Sequence, residues 1–440
     1  MNSLPVEVLT SILKHLNVGE DHDCEHPSSS AYWSVPLQTQ AAFWERRVAA
    51  DRTAWNLGVE FRTISRQFNH AISARMNQSV ILAGPMNAAF VPRSHLLTSP
   101  CKRLKIYSTS GCSQGLQLLR DNSATIKSFF VEMGHAPSWT QWPNLLPRLD
   151  LRSTSFPLLT SFTFRTNAGC EWLRFDTLVE LLRNSPCLKH LTVFQLLGSR
   201  DGAENMEGFG PRGEPACQLV SLHVRRTWAL HPENLQFIVA KSHSSLRQLT
   251  WVLEKYVTSR EPREYNKLGR KYEAYTFFHG FRRCRQIETL RIADMVRDEV
   301  PPRNIRREAF NWRSYMGDVL NSMMPHLEHL QHLEVCGMVE LPLLHAWNQN
   351  VLPFHLKSLF IDRYFGYRFK DLILHLDRAE GPLSRLEKLA IDEQVEVDCP
   401  TEEWHAMRAL CQRRGVEFRI HRDDLSQNGA TQTVWWLGLA

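Results

Sequence analysis

With nineteen histidines and ten cysteines, this 440-residue chain carries many side chains able to ligate metals or attack electrophiles, so their spacing decides what chemistry is open to it. His22, Cys24 and His26 alternate within residues 21–26 and offer three soft ligands in one short loop. A structural zinc site needs four ligands at defined spacing, and no second Cys-x-x-Cys or His pair completes this one. The segment reads as a solvated acidic loop. None of the cysteines carries a signature of a Cys-His nucleophile pair, and neither Gly-x-Ser-x-Gly nor His-Glu-x-x-His occurs. The glycine-richest stretch, residues 198–213, has no Gly-Lys-Ser/Thr and no strand-to-helix setting in which backbone amides would cradle phosphate. The expectation is a chain with no intrinsic active site, no metal and no cofactor.

The elements that could present a surface instead begin at the amino end. Pro5 opens a helix without losing a needed hydrogen bond, and Glu7 places a negative charge in the first turn, where the helix dipole favours it. Val6, Leu9, Leu13 and Leu16, with Val8 and Ile12 beside them, form an apolar stripe at three- and four-residue spacing. Farther on comes Arg62-Thr63-Ile64-Ser65-Arg66-Gln67-Phe68-Asn69. Together these segments resemble the F-box, a small helical module that opens on Leu-Pro and closes on a Ser-Arg-x-Phe-Asn helix. The resemblance implies docking to the Skp adaptor of a cullin ubiquitin ligase through Leu4, Pro5, Val8, Leu9, Ile12, Leu13 and Leu16, with Ile64 and Phe68 touching the adaptor or bracing the module. Residues 17–60 separate the two halves by more than the family usually allows. They include a polar stretch at 19–30 and a candidate added helix at 39–52 with Phe43, Trp44 and Val48. An insert on the face away from the adaptor leaves docking intact, and one between the contacting helices abolishes it.

Composition narrows the remaining classes. Hydrophobic residues at 43% and charged residues at 22% are globular values. Lys plus Arg exceed Asp plus Glu by only six, with the signs interspersed, so there is no concentrated basic face of the kind that marks a nucleic-acid footprint. The cysteines lie at long, irregular separations and Glu7 interrupts the apolar start, which predicts reduced thiols and a cytoplasmic and/or nuclear location. No apolar window is long enough to span a membrane. Val434-Trp435-Trp436-Leu437-Gly438-Leu439-Ala440 reads as a segment packing on the last structural unit.

Beyond residue 75 one pattern keeps returning: an apolar residue, two variable positions, Leu or Phe, one variable position, and another apolar residue. It occurs at Cys101-Leu104-Ile106, Ile126-Phe129-Val131, Leu159-Phe162-Phe164, Leu188-Leu191-Val193, Leu219-Leu222-Val224 and Leu246-Leu249-Trp251. It continues at Ile287-Leu290-Ile292, Leu330-Leu333-Val335, Leu356-Leu359-Ile361 and Leu386-Leu389-Ile391. The last two members alternate with polar residues at period two, as a half-buried strand does, and helical candidates such as 175–183 lie between copies. This resembles the leucine-rich repeat, in which no unit can bury its apolar face alone and neighbours must stack. The turn-tightening asparagine of regular repeats is mostly missing, and the pattern looks more like the divergent repeats of fungal F-box proteins. Longer gaps after 246 and 287 hold extra sequence at 258–272 and 296–307. After the last copy, 402–413 reads as a helix and 416–420 as a strand that caps the array.

The expected fold class is therefore α/β: an F-box-like helical module at 1–75 with an insert at about 17–60, then an irregular leucine-rich-repeat-like solenoid of short parallel strands at 76–440. The expected role is substrate-recognition subunit of a Skp-cullin-F-box ubiquitin ligase, with the Skp adaptor, the cullin scaffold and an unidentified protein substrate as partners, and neither nucleic acid nor membrane. The alternative is a ligase-independent interaction scaffold with a degenerate F-box. Trp228, Tyr364, Phe365 and Tyr367 are candidates for an exposed recognition face.

Overall fold

A computed structural model describes residues 78–83, 100–107, 112–133, 154–166, 173–197, 213–228, 230, 232–257, 277–298, 320, 322–337, 355–361, 369–392 and 401–421. The module expected at 1–75 lies outside them. The described residues fall into two compact units, one of 78–195 with 215–218, the other of 219–421 with 196–197 and 213–214.

The first unit contains β1 (Ser79–Ala83), β2 (Arg103–Tyr107), β3 (Ser128–Met133), β4 (Ser161–Thr166), β5 (Leu173–Arg174) and β6 (His190–Leu197). Neighbours run in the order β1-β2-β3-β4-β6, all parallel, with the two-residue β5 beside β6. The second unit contains β7 (Ser221–Trp228), β8 (Gln248–Val257), β9 (Thr289–Asp298), β10 (His332–Gly337), β11 (Ser358–Ile361), β12 (Lys388–Asp392) and β13 (Glu417–His421), parallel and in chain order. Parallel neighbours need crossovers, and helices supply several of them: Cys112–Asp121, Phe175–Asn184, Pro232–Val239, Phe369–Asp377 and Thr401–Arg414. Mixed α/β structure built from short parallel strands in a leucine-rich-repeat-like stack is thus observed in each unit.

In all ten copies of the sequence pattern the last two residues fall on a strand and the leading one just before it, and all thirty named residues are at most 5% exposed. The register explains why. Leu104 stands opposite Phe129, Phe129 opposite Phe162, and Phe162 opposite Leu191; in the second unit Leu222, Leu249, Leu290, Leu333, Leu359, Leu389 and Phe418 follow one another in the same way. Like positions form apolar columns running across the strands. Each buried side chain of this kind contributes about 1.5–3 kcal/mol through the water it sheds. Two strands extend the count. In β1, Val80 and Leu82 stand opposite Leu104 and Ile106, and β13 follows the terminal helix as expected.

Backbone hydrogen bonds hold the columns in phase. Just after the leading apolar residue of most copies, one carbonyl accepts two consecutive N–H groups of the next copy. Lys127 O receives Thr160 and Ser161 (2.8 and 3.2 Å), Thr160 O receives Lys189 and His190 (2.9 and 3.0 Å), and Val220 O receives Arg247 and Gln248 (2.8 and 3.1 Å). The same pair of bonds recurs at Arg247, Glu288, Gln331 and Lys357.

In two copies, side chains in the turn before the strand do the work that regular repeats assign to asparagine. Four residues before the leading Ile126, Asn122 Oδ1 accepts the buried N–H of Cys101 at 3.1 Å, while its Nδ2 donates to Leu118 O at 2.9 Å. One residue before Ile126, the Thr125 hydroxyl donates to Cys101 O at 2.9 Å. Ser242 and Ser245 repeat this before Leu246, taking the N–H and the C=O of Leu219, each at 2.8 Å. A pair at positions −4 and −1 thereby pins the previous repeat's leading residue by both its backbone groups.

Local sequence accounts for the ends and bulges. Helix Phe175–Asn184 buries Phe175, Leu178, Val179, Leu181 and Leu182 on one face, has Asp176 in its first turn and Arg183 in its last, and stops at Ser185-Pro186. Trp251 fills a column position held elsewhere by smaller residues and packs against Phe277 and Phe281 (5.8 and 5.7 Å between ring centroids). Nearby, a Cβ on Gly280 would lie 2.5 Å from Leu235 Cδ2, so any side chain there would force the buried Leu235 to shift. Helix Thr401–Arg414 ends with Gly415 at φ +68°, Val416 N–H on Cys411 O and Gly415 N–H on Gln412 O, the paired bonds of a Schellman turn that sends the chain into β13.

Asn122→Ala leaves the fully buried Cys101 N–H without its acceptor, which should cost about 1–3 kcal/mol. Ser242→Ala should cost a similar amount. Urea midpoints read both, and Asn122→Asp, which retains the acceptor but loses the donor to Leu118, should fall between wild type and alanine.

Candidate functional site

The residues named for adaptor docking, Leu4, Pro5, Val8, Leu9, Ile12, Leu13, Leu16, Ile64 and Phe68, lie outside the described residues. So do His22, Cys24 and His26 and the aromatics Tyr364, Phe365 and Tyr367; Trp228 is in β7, with its side chain outside the description. What the structure does bring together is a polar row in the second unit that the repeat pattern did not single out.

Successive side chains on a strand point to opposite faces, so the residues between the columns form rows of their own. Register aligns His223, Thr250, Arg291 and Glu334 across β7 to β10, and the row continues as Phe360, Ala390 and Arg419. Parallel to it run Ser221, Gln248, Thr289 and His332. These groups are withdrawn from water: Thr250 is 0% exposed, His223 1%, Arg291 2% and Glu334 8%.

A buried charge persists only with a partner. Arg291 and Glu334 are direct register partners, and Arg291 Nε donates to Glu334 Oε2 at 2.5 Å. Burial drives the His223 pKa well below 6.5, and the positive charges of Arg291 and Arg225 push it the same way, so its imidazole is neutral at physiological pH. Thr250 Oγ1 and Gln248 Oε1, also buried, have no hydrogen-bond partner among the described residues. The two rows offer a compensated ion pair, a neutral imidazole, a hydroxyl and an amide oxygen.

In the first unit the corresponding row is Lys105, Phe130, Thr163 and Thr192. At its rim the Arg165 guanidinium lies 5.9 Å from the Phe194 ring centroid. Gln195, 2% exposed, holds φ at +68°, a left-handed conformation costly for a residue with a Cβ.

Three of the described thiols are poor nucleophiles, while Cys187 is exposed. Burial raises Cys101 and Cys411 to about 11 and Cys284 to about 12, which keeps these thiols protonated. No group of three or more His, Cys, Asp or Glu residues is placed to hold a metal among the described residues, and none of their helices is long and apolar enough to cross a membrane. A second feature is a groove of about 550 Å³ at the outer side of β13, lined by Arg408, Gln412, Val416, Phe418 and Ile420.

No family model matches the chain, and no curated protein matches it. Among solved structures, it is similar to the crystal structure of the leucine-rich repeat-containing protein LegL7 from Legionella pneumophila. That similarity comes at 10% identity and a TM-score of 0.37, covering 79% of this chain and 91% of that one.

Two measurements test the row. Glu334→Leu strands a buried guanidinium and should cost about 3–5 kcal/mol, whereas the double change Arg291→Met with Glu334→Leu should recover most of that loss. Because the unfolded chain takes up a proton on His223 near pH 6.5 and the native chain refuses it, stability is complete above that pH and declines below it. The decline is limited to about 1.4 kcal/mol per pH unit for this group, and His223→Gln should flatten it in urea titrations between pH 7 and 5.

Proposed function

We propose that this chain is a non-catalytic protein-interaction scaffold that serves as the substrate-recognition subunit of a Skp-cullin-F-box ubiquitin ligase. The observation that carries the scaffold reading is the division of labour across the strands. The columns spend the apolar residues on stacking, and the opposite face aligns residues in register from the buried His223, Thr250, Arg291 and Glu334 to the exposed Arg419, an extended strand array suited to meeting a protein rather than enclosing a small molecule. Support for the ligase role comes from the amino-terminal sequence: Leu4-Pro5, the stripe through Leu16, and Ser65-Arg66-Gln67-Phe68-Asn69, placed ahead of repeats. In this reading residues 1–75 dock the Skp adaptor, the cullin joins through it, a protein substrate is held by 76–440, and ubiquitin transfer belongs to other subunits. The chain works in the cytoplasm and/or nucleus, without nucleic acid or membrane as partner.

The length of 17–60 favours a second reading, in which the F-box is degenerate and the repeats assemble a complex independent of any ligase. Co-precipitation of the full chain with purified Skp adaptor separates the two. The ligase reading expects capture that is lost in a Leu9→Asp, Leu13→Asp variant whose repeats still melt like wild type. Failure of the intact chain to bind leaves the scaffold reading and removes the other.

A further inference from the structure

The columns that are sealed elsewhere remain partly open at β13. Leu389 and Ile391 on β12 are 0% and 1% exposed, while their register partners Phe418 and Ile420 are only half-buried and line the groove beside the terminal helix. Among the described residues nothing pairs with the outer edge of this strand. We propose that β13 is an association edge, at which two copies of this chain pair antiparallel across a two-fold axis passing through Phe418.

Backbone phase restricts the choices. Glu417 N donates to Glu387 O at 2.8 Å, so Glu417 and Arg419 turn their backbone groups toward β12, and Phe418 and Ile420 turn theirs outward. In an antiparallel pair, outward groups must meet outward groups. That admits registers centred on Glu417, Phe418 or Arg419 that stay within the strand and its immediate flank. A two-fold at Glu417 sets two carboxylates face to face, and one at Arg419 sets two guanidinium groups face to face; like charges directly opposite are destabilising. The two-fold at Phe418 instead places Glu417 against Arg419 of the second copy, twice, in the closer non-hydrogen-bonded positions. It also sets Phe418 on Phe418 and Val416 on Ile420, which continues the apolar columns from one copy into the other.

The side chains this needs are at the surface. The side chains of Arg419 and Glu417 are 74% and 41% exposed, and they pair with each other within the strand while Glu417 also lies 3.9 Å from Lys388 Nζ, so association exchanges internal partners for external ones. The groove lined by Val416, Phe418 and Ile420 receives the second copy's Phe418, with Arg408, which lies 5.6 Å from the Trp404 ring centroid, at its wall. Such an isologous contact closes on itself and leaves no β13 edge for a third copy, which guards an exposed strand against open-ended growth. It is independent of adaptor docking.

Sedimentation equilibrium of the full chain over a dilution series tests the register by charge. Wild type should show a monomer–dimer equilibrium. Arg419→Glu and Glu417→Arg, each at an exposed site and each with a wild-type urea midpoint, should weaken dimerisation about tenfold or more, because each turns two attractive pairs into repulsive ones. An equimolar mixture of those two variants should form a heterodimer, and the double variant should self-associate like wild type. A wild-type chain that stays monomeric at every concentration, as it would if another segment of its own chain occupied the edge, overturns the proposal. So does a dimer indifferent to both inversions, or a mixture that fails to associate.

Discussion

Most repeats offer their neighbour one backbone carbonyl that takes two consecutive N–H groups, and nearly every other feature is arranged around keeping that contact in register. A slip of one residue would turn every column leucine to the opposite face and bring a polar residue into the core. The penalty is large because the columns are continuous: Leu290 touches both a predecessor and a successor of the same kind, so an error in one strand is felt in two. The clamps at Asn122 and Thr125, and at Ser242 and Ser245, act on the same constraint from the turn side by fixing where the preceding repeat's leading residue lies.

With register fixed by backbone and turns, the opposite strand face is relieved of a structural duty and can carry groups that cost something to bury. Arg291 and Glu334 hold charge out of water because each neutralises the other, and His223 stays neutral because burial, reinforced by two nearby arginines, disfavours its protonation. Such a row contributes less to stability than leucines would. It sits in the centre of the second unit, next to a buried hydroxyl that has no hydrogen-bond partner among the described residues.

Much of the stack was legible in the sequence, because burial of alternate residues on a strand leaves a period-two trace and stacking repeats it. Every leading residue from Cys101 to Leu386 could be read this way, as could the helix at 175–184 from its three- and four-residue spacing and its Ser-Pro stop. The strand β1 escaped because the position three residues before Val80 is Asn77, a polar residue where the pattern wants an apolar one. The turn clamps were equally hidden, since Asn122 and Ser242 precede the strands they support and bond to a copy more than twenty residues earlier. The polar row was invisible for a different reason: alternation shows that His223 and Glu334 face away from the columns, but only the register sets them beside Thr250 and Arg291, and only the tertiary structure buries them. The docking residues at 4–68 rest on sequence resemblance alone.

Gly415 turns the chain from the last helix into β13 through a left-handed residue rather than through an apolar leading side chain, so the final rung starts without the anchor that every earlier copy from Cys101 onward has. Among the described residues of one copy this rung is bonded on one side, and Val416, Phe418 and Ile420 carry its apolar contacts, so in the monomer unravelling of the second unit should begin at that end. Loss of β13 uncovers Leu389 and Ile391 in turn, so the unit melts by peeling inward, one neighbour at a time, and amide exchange should be fastest at 417–421 and slowest at the central strands.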